Sequence, residues 1–143
     1  MDELNEIKNV LIKRRIKMEQ EICRQIWNSG CYFLCLLKFC NEEDNAIKWY
    51  KKALSLGYME KDCYINNPTA ILKMITGKNF NVVKQSSAFA ADLIITRYYN
   101  PTTKNNHFVI TDENAVVKYD PLGESYTVKN GYPESYRLFM EIK

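Results

Sequence analysis

Four residues of this 143-residue chain have types and spacing that suit nucleophilic catalysis by a thiol. Cys31 follows Gly30 at the start of an apolar segment. If that segment is a helix, its unpaired N–H groups would stabilise both a thiolate and an oxyanion at this end. The chain has one histidine, His107, which is therefore the only imidazole that can act as general base. We predict Cys31 as the nucleophile and His107 as the base.

Asp120 and Gln25 could complete such a site. His107 begins one predicted strand, and Asp120 follows the next strand along the chain. In an antiparallel hairpin these two ends lie side by side, so Asp120 can orient the imidazole. Gln25 precedes Cys31 by six residues, from where its amide could donate to an oxyanion together with the Cys31 backbone N–H. Asp120 also begins a good turn sequence, and a purely turn-forming role stays open.

The remaining cysteines offer a different chemistry. Five cysteines in a chain with no evident secretion signal indicate reduced thiols. A metal site is conceivable, but structural zinc is normally held in polar turns, whereas the cysteines from position 31 to 40 lie among apolar residues. We therefore expect neither a metal nor a cofactor. The residues such a metal site would use are Cys31, Cys35 and Cys40, with Cys23 or Cys63.

Length and composition predict one soluble domain over residues 1–143. With 46% hydrophobic and 13% aromatic residues, the chain can build a core without disulfide or metal support. Its net charge of +3 is weak and interspersed, so we expect no nucleic-acid partner. The N-terminus is acidic, and the longest apolar run, residues 31–37, is far too short to span a membrane. These features predict a cytoplasmic protein with no membrane association.

Helical periodicity occupies the first part of the chain and strand periodicity the last. The predicted parts are an N-terminal helix within residues 1–24, a helical half with the nucleophile over 25–77, and a sheet over 78–143. Helices are expected at residues 2–20, 31–40, 46–57 and 67–77. Strands are expected at residues 79–83, 92–99, 107–111, 115–119, 126–128 and 137–142. This order predicts an α+β fold in which N-terminal helices pack on a curved antiparallel meander.

The ordered set of site residues resembles a known family. Gln-x5-Cys at the start of a helix, then a late His-Phe-Val strand and then Asp-Pro, is similar to the papain-like cysteine peptidases. The resemblance is strongest to the compact bacterial branch with the double-glycine leader peptidases, and to small phage and plasmid proteins related to it. It covers roughly residues 25–139. It implies a papain-like fold in which Cys31, His107 and Asp120 form a triad and Gln25 is the oxyanion donor. The expected substrate is a peptide or isopeptide bond in a peptide or protein.

Two residues depart from the pattern of that family and leave an alternative open. Tyr32 follows the nucleophile, and Asn106 precedes His107, in positions where the family commonly has other residues. Either change could narrow the cleft, and a fold can persist after its activity is lost. The alternative is a catalytically inactive papain-like scaffold, encoded by a phage or plasmid. Such a protein would bind and inhibit a host enzyme such as a defence nuclease, in the manner of an anti-CRISPR protein, and the ten tyrosines would suit an interface.

Overall fold

The computed structural model describes residues 3–143 and has an α+β architecture, as predicted. The four N-terminal helices are α1 (Glu3–Ser29), α2 (Cys31–Phe39), α3 (Ala46–Ser55) and α4 (Pro68–Thr76). A short 3-10 turn, Glu43–Asn45, precedes α3, and a fifth helix, α5 (Tyr126–Asn130), precedes the last strand. The strands are β1 (Phe80–Gln85), β2 (Leu93–Asn100), β3 (Asn105–Thr111), β4 (Val117–Tyr119) and β5 (Tyr132–Glu141).

The five strands form one antiparallel sheet in the order β1-β5-β2-β3-β4. Strands β2, β3 and β4 form the expected meander, but β5 returns to lie between β1 and β2. The prediction of a simple meander was therefore wrong at β5. Strand β5 pairs with β1 along one edge and with β2 along the other. Its residues Leu138 and Phe139 are fully buried.

The N-terminal helix is longer than its pattern predicted. Position 2, where the sequence predicts its start, lies outside the described residues, and α1 continues past residue 20 to Ser29. Ile22 and Ile26 are the two buried residues of α1, so packing at this end extends the helix. Among residues 3–143, no helix is both long and apolar enough to cross a membrane.

The segment after Asp120 forms a helix where a strand was predicted. Ser125 caps α5 by accepting a hydrogen bond from the Val128 backbone N–H at 3.3 Å. Thr127 is the buried residue of this short helix. The strand preference of the Tyr-Thr-Val sequence is a weak and context-dependent signal. The hydrogen bond of the serine N-cap outweighs it.

Helix α2 is the buried central helix that the sequence predicts. Phe33, Cys35, Leu36 and Leu37 are fully buried. The helix packs against β3, and the thiol of Cys35 donates a hydrogen bond to the Phe108 carbonyl at 3.6 Å. This contact lies one helical turn after Cys31 and one residue after His107. It therefore fixes the start of α2 beside the start of β3.

Gly30 forms the junction between α1 and α2. Its backbone N–H donates to the Ile26 carbonyl at 2.8 Å, and its φ and ψ of −97° and 16° separate the two helices. A Cβ at this position would lie 2.4 Å from the Ile26 carbonyl oxygen and 2.8 Å from its Cα. The junction therefore has room only for glycine, and it places Cys31 at the first position of α2.

We predict that Gly30→Ala destabilises the protein by about 1–3 kcal/mol, the usual cost of forcing atoms into a filled space. Where the backbone conformation and the surrounding space accept a Cβ, the same change would stabilise a protein by about 0.4–1 kcal/mol. Urea unfolding of both variants measures the difference, with the exposed neighbour Ser29→Ala as the control expected to change little. A Gly30→Ala protein as stable as the wild type would contradict this account of the junction.

Candidate active site

The β3–β4 hairpin brings His107 and Asp120 together. His107 Nε2 and Asp120 Oδ1 are 2.6 Å apart. Both side chains are almost fully buried, with 6% and 4% of their surfaces exposed. A hydrogen bond this short, removed from solvent, fixes the imidazole ring and leaves Nδ1 as the nitrogen that can face another group.

Backbone amides hold the carboxylate of Asp120 in place. The Leu122 N–H donates to Oδ1 at 2.9 Å and the Ser125 N–H donates to Oδ2 at 3.2 Å. Burial alone would raise the pKa of Asp120, but the hydrogen bonds from His107 and Leu122 outweigh it and lower that pKa below its ordinary value. Asp120 thus forms the turn and also contacts His107, so the two roles predicted for it coexist.

Cys31 lies in the same cleft as His107. It is half-buried at the first position of α2. Burial lowers the pKa of His107, but the hydrogen bonds with Cys31 and Asp120 outweigh this effect and raise the pKa above its ordinary value of 6.5. The structure therefore brings Cys31, His107 and Asp120 together at one cleft.

Three backbone N–H groups at the start of α2 have no acceptor among the described residues. The Gly30 N–H donates to Ile26 and the Leu34 N–H donates to Gly30, each at 2.8 Å, but the three residues between them make no such bond. Unpaired N–H groups at a helix start favour negative charge. Those of residues 31–33 lie beside the Cys31 thiol and can stabilise a thiolate or an oxyanion there.

Gln25 does not reach this site, which corrects its predicted role. Its amide donates to the Glu21 carboxylate at 3.3 Å, and it lines a separate groove between α1 and α3 with Tyr50. The reason is that α1 stays helical to Ser29, so a residue six positions before Cys31 lies on another face. Asn28, three positions before Cys31, lines the cleft instead. If the sequence prediction had continued α1 to Ser29, the spacing of three residues before Cys31 would have indicated Asn28.

An open cleft of about 410 Å³ surrounds the thiol and the imidazole. One wall comes from the end of α1 and the start of α2, and the other comes from the start of β3 and residues 121–127. Trp27 and Tyr126 stand at its edges with 67% and 64% of their surfaces exposed. A cleft with aromatic edges and amide groups along its walls suits a segment of peptide chain.

The other thiols are dispersed and differ from Cys31 in environment. Burial raises the pKa of Cys35 well above its ordinary value, and it raises the pKa of Cys40 and of Cys63 to about 11. Cys23 is exposed on α1. Within residues 3–143 there is no group of three or more His, Cys, Asp or Glu side chains placed to hold a metal ion.

The fold and the site define an α+β protein with a Cys-His-Asp cluster between a helix start and a β-hairpin. Residues 13–141 match the family described as "Protein of unknown function, DUF261", so the chain belongs to that family. The matched region includes all three residues of the cluster. Neither a curated protein nor a solved structure matches the chain.

We predict that Asp120→Asn lowers the pKa of His107, because it removes the carboxylate that favours the imidazolium. His107 is the chain's single histidine, so proton NMR follows its titration without ambiguity. The matched control is Asp112→Asn, which changes a carboxylate on the same hairpin that binds the Asn114 and Val116 amides instead. An unchanged His107 midpoint in Asp120→Asn would contradict the arrangement.

We also predict a pH window in which the pair stabilises the fold. The His107 contribution is complete below its unfolded pKa and is lost as pH rises through its raised folded pKa. The Asp120 contribution is complete above its unfolded pKa and is lost as pH falls through its lowered folded pKa. The difference in free energy of unfolding between wild type and Asp120→Asn, measured with urea, should therefore be largest between about pH 4 and 6.5. A difference that stays constant from acid to alkaline pH would contradict this coupling.

Proposed function

We propose that this protein is a cysteine peptidase-like hydrolase with a papain-like arrangement, cleaving a peptide or isopeptide bond through Cys31, His107 and Asp120. One observation carries the proposal: a thiol at the start of a buried helix lies in the same cleft as an imidazole that is bound by a buried carboxylate. A thiol nucleophile, an imidazole base and a carboxylate that orients the base form the usual catalytic triad of a cysteine hydrolase. The position of the nucleophile on a helix and of the base on a sheet supports the papain-like assignment.

In the first half of the reaction, His107 takes the proton of Cys31. The thiolate attacks the substrate carbonyl carbon, a C–S bond forms, and the carbonyl electron pair moves to oxygen. The Cys31 backbone N–H stabilises that oxyanion, and Asn28 is the side-chain amide in the cleft that can act as a second donor. His107 then gives its proton to the leaving amine as the C–N bond breaks, which leaves a thioester on Cys31.

In the second half, water replaces the amine in the open cleft. His107 accepts a proton from the water while the water oxygen attacks the thioester carbon, and the same oxyanion site stabilises the intermediate. The C–S bond then breaks, His107 returns its proton to the sulfur of Cys31, and the acid product leaves. Asp120 holds the imidazole in one orientation throughout and favours its protonated form, so both halves use the same proton carrier.

A second candidate function rests on the aromatic edges of the cleft. Trp27 and Tyr126 are largely exposed, and tryptophan and tyrosine are the residues most enriched at the energetic centres of protein interfaces. An inactive papain-like scaffold could use them to bind and inhibit a host enzyme. Such a binder would tolerate Cys31→Ala and His107→Ala but would lose binding in Trp27→Ala.

We predict that iodoacetamide alkylates Cys31 at least about tenfold faster than the exposed Cys23 at about pH 6.5, because His107 removes its proton. Peptide mapping by mass spectrometry measures both rates in the same sample, so Cys23 is an internal reference. His107→Gln should slow Cys31 alone. Equal rates at the two thiols would contradict the catalytic proposal and favour the binding function.

Turnover tests the proposal in a second way. Incubation with a peptide library, followed by mass spectrometry, should yield cleaved products that disappear in Cys31→Ala and persist in Cys23→Ala. Cys23 is the matched control because it is an exposed thiol on α1 that lies outside the cleft. Cleavage that survives Cys31→Ala would show that another group performs it.

A further inference from the structure

A second cavity, of about 710 Å³, adjoins the cleft. Asn106 lines both, and Tyr32, the residue directly after Cys31, forms part of the second cavity. The floor of this cavity is the face of the sheet that is turned toward the helices. The side chains of Lys84, Arg97, Phe108 and Arg137, from four neighbouring strands, line that floor.

Arg137 is the distinctive residue of this cavity. Only 8% of it is exposed, and its guanidinium lies 4.9 Å from the ring centre of Phe108 and 6.0 Å from that of Tyr32. Its Nη1 donates a hydrogen bond to Ser135 Oγ at 2.8 Å. Among the described residues no carboxylate forms an ion pair with it, although a guanidinium has five N–H donors. Burial, together with the nearby Arg97 cation, lowers the pKa of Arg137, and the electrostatic effects of Tyr32 and Glu134 offset this only in part.

The neighbouring charges leave this cavity positive. Lys84 is paired with Arg137 in the register of β1 and β5, and its side chain is exposed. Arg97 is neutralised by Glu134 at 2.6 Å. Asp62 is the acidic residue of the cavity lining, and it caps the Tyr64 backbone N–H. An anion that enters would therefore meet Arg137 and Lys84 without a carboxylate already bound to either.

We propose that this cavity is the specificity pocket of the hydrolase and binds a carboxylate of the substrate, from an acidic side chain or a free chain terminus. The inference rests on the proposed function, since Tyr32 connects the cavity directly to the nucleophile. A guanidinium presents paired N–H groups that match the two oxygens of a carboxylate, and this one lies beside two aromatic rings in a buried position. The substrate residue beside the cleaved bond would then place its charge on Arg137 while its carbonyl lies at Cys31.

The first experiment measures alkylation of Cys31 by acetyl-tripeptide chloromethyl ketones that carry Glu or Gln at each position in turn. The Glu reagent should react at least about tenfold faster than its Gln partner at one position, as expected for a charge-assisted pair out of water. Arg137→Gln should bring that ratio close to one. Lys84→Gln, a change at an exposed position, should lower it partly, and Lys118→Gln, on the exposed side of β4, should preserve it.

The second experiment measures binding without catalysis. Cys31→Ala is titrated by calorimetry with acetyl-Ala-Glu-Ala-amide, with its Gln counterpart, and with acetyl-Ala-Ala-Ala bearing either a free carboxylate or an amide terminus. Preference for the Glu peptide would identify an acidic side chain as the ligand, and preference for the free carboxylate would identify a chain terminus. Either preference should be lost in the Arg137→Gln form of this protein and weakened in the Lys84→Gln form.

The two experiments separate the pocket from the catalytic proposal. If Cys31 alkylates readily but no charge preference appears in either experiment, the pocket assignment is wrong and the hydrolase proposal survives. If Cys31 is no more reactive than Cys23 while the carboxylate preference depends on Arg137, the hydrolase proposal fails and the anion pocket remains. If Arg137→Gln does not fold, a Lys84→Gln protein with undiminished preference overturns the assignment.

Discussion

The burial of α2 between the other helices and the sheet is the constraint on which the candidate site depends. Its apolar side chains are fully covered, and the Cys35 thiol binds the Phe108 carbonyl in β3. Because Cys31 lies one turn before that contact and His107 one residue before Phe108, packing of the core also sets the geometry of the thiol and the imidazole. One helix therefore contributes both to the core and to the candidate site, and Gly30 forms the junction that leaves Cys31 half-buried at its first position.

The polar part of the site is ordered by local hydrogen bonds and not by the core. Asp120 accepts from two backbone amides in its own turn and from His107, so the hairpin and the turn that follows it determine where the imidazole points. A carboxylate with fewer partners would cost free energy to bury. The same turn leads into α5, and the N-cap of that helix, Ser125, lines the cleft.

Local sequence signals predicted most of the residues that meet in the candidate site. Cys31 after a glycine, a lone histidine and an Asp-Pro turn were all visible without knowledge of distant contacts. The prediction that Gln25 lies at this site was wrong because the end of α1 depends on burial of Ile22 and Ile26, which no local pattern specified. The position of β5 and the role of Arg137 depend on pairings between strands far apart in the chain, and the sequence contains no short-range signal for them.

The pH dependence of Cys31 alkylation tests the central claim most directly. An isolated thiol loses about tenfold in rate for each pH unit below its ordinary pKa. If His107 takes the proton of Cys31, the wild-type rate at Cys31 should fall less steeply with decreasing pH than the rate at Cys23, and His107→Gln should abolish that difference. A Cys31 rate that falls in wild type as steeply as that of Cys23, and that His107→Gln leaves unchanged, would contradict the account.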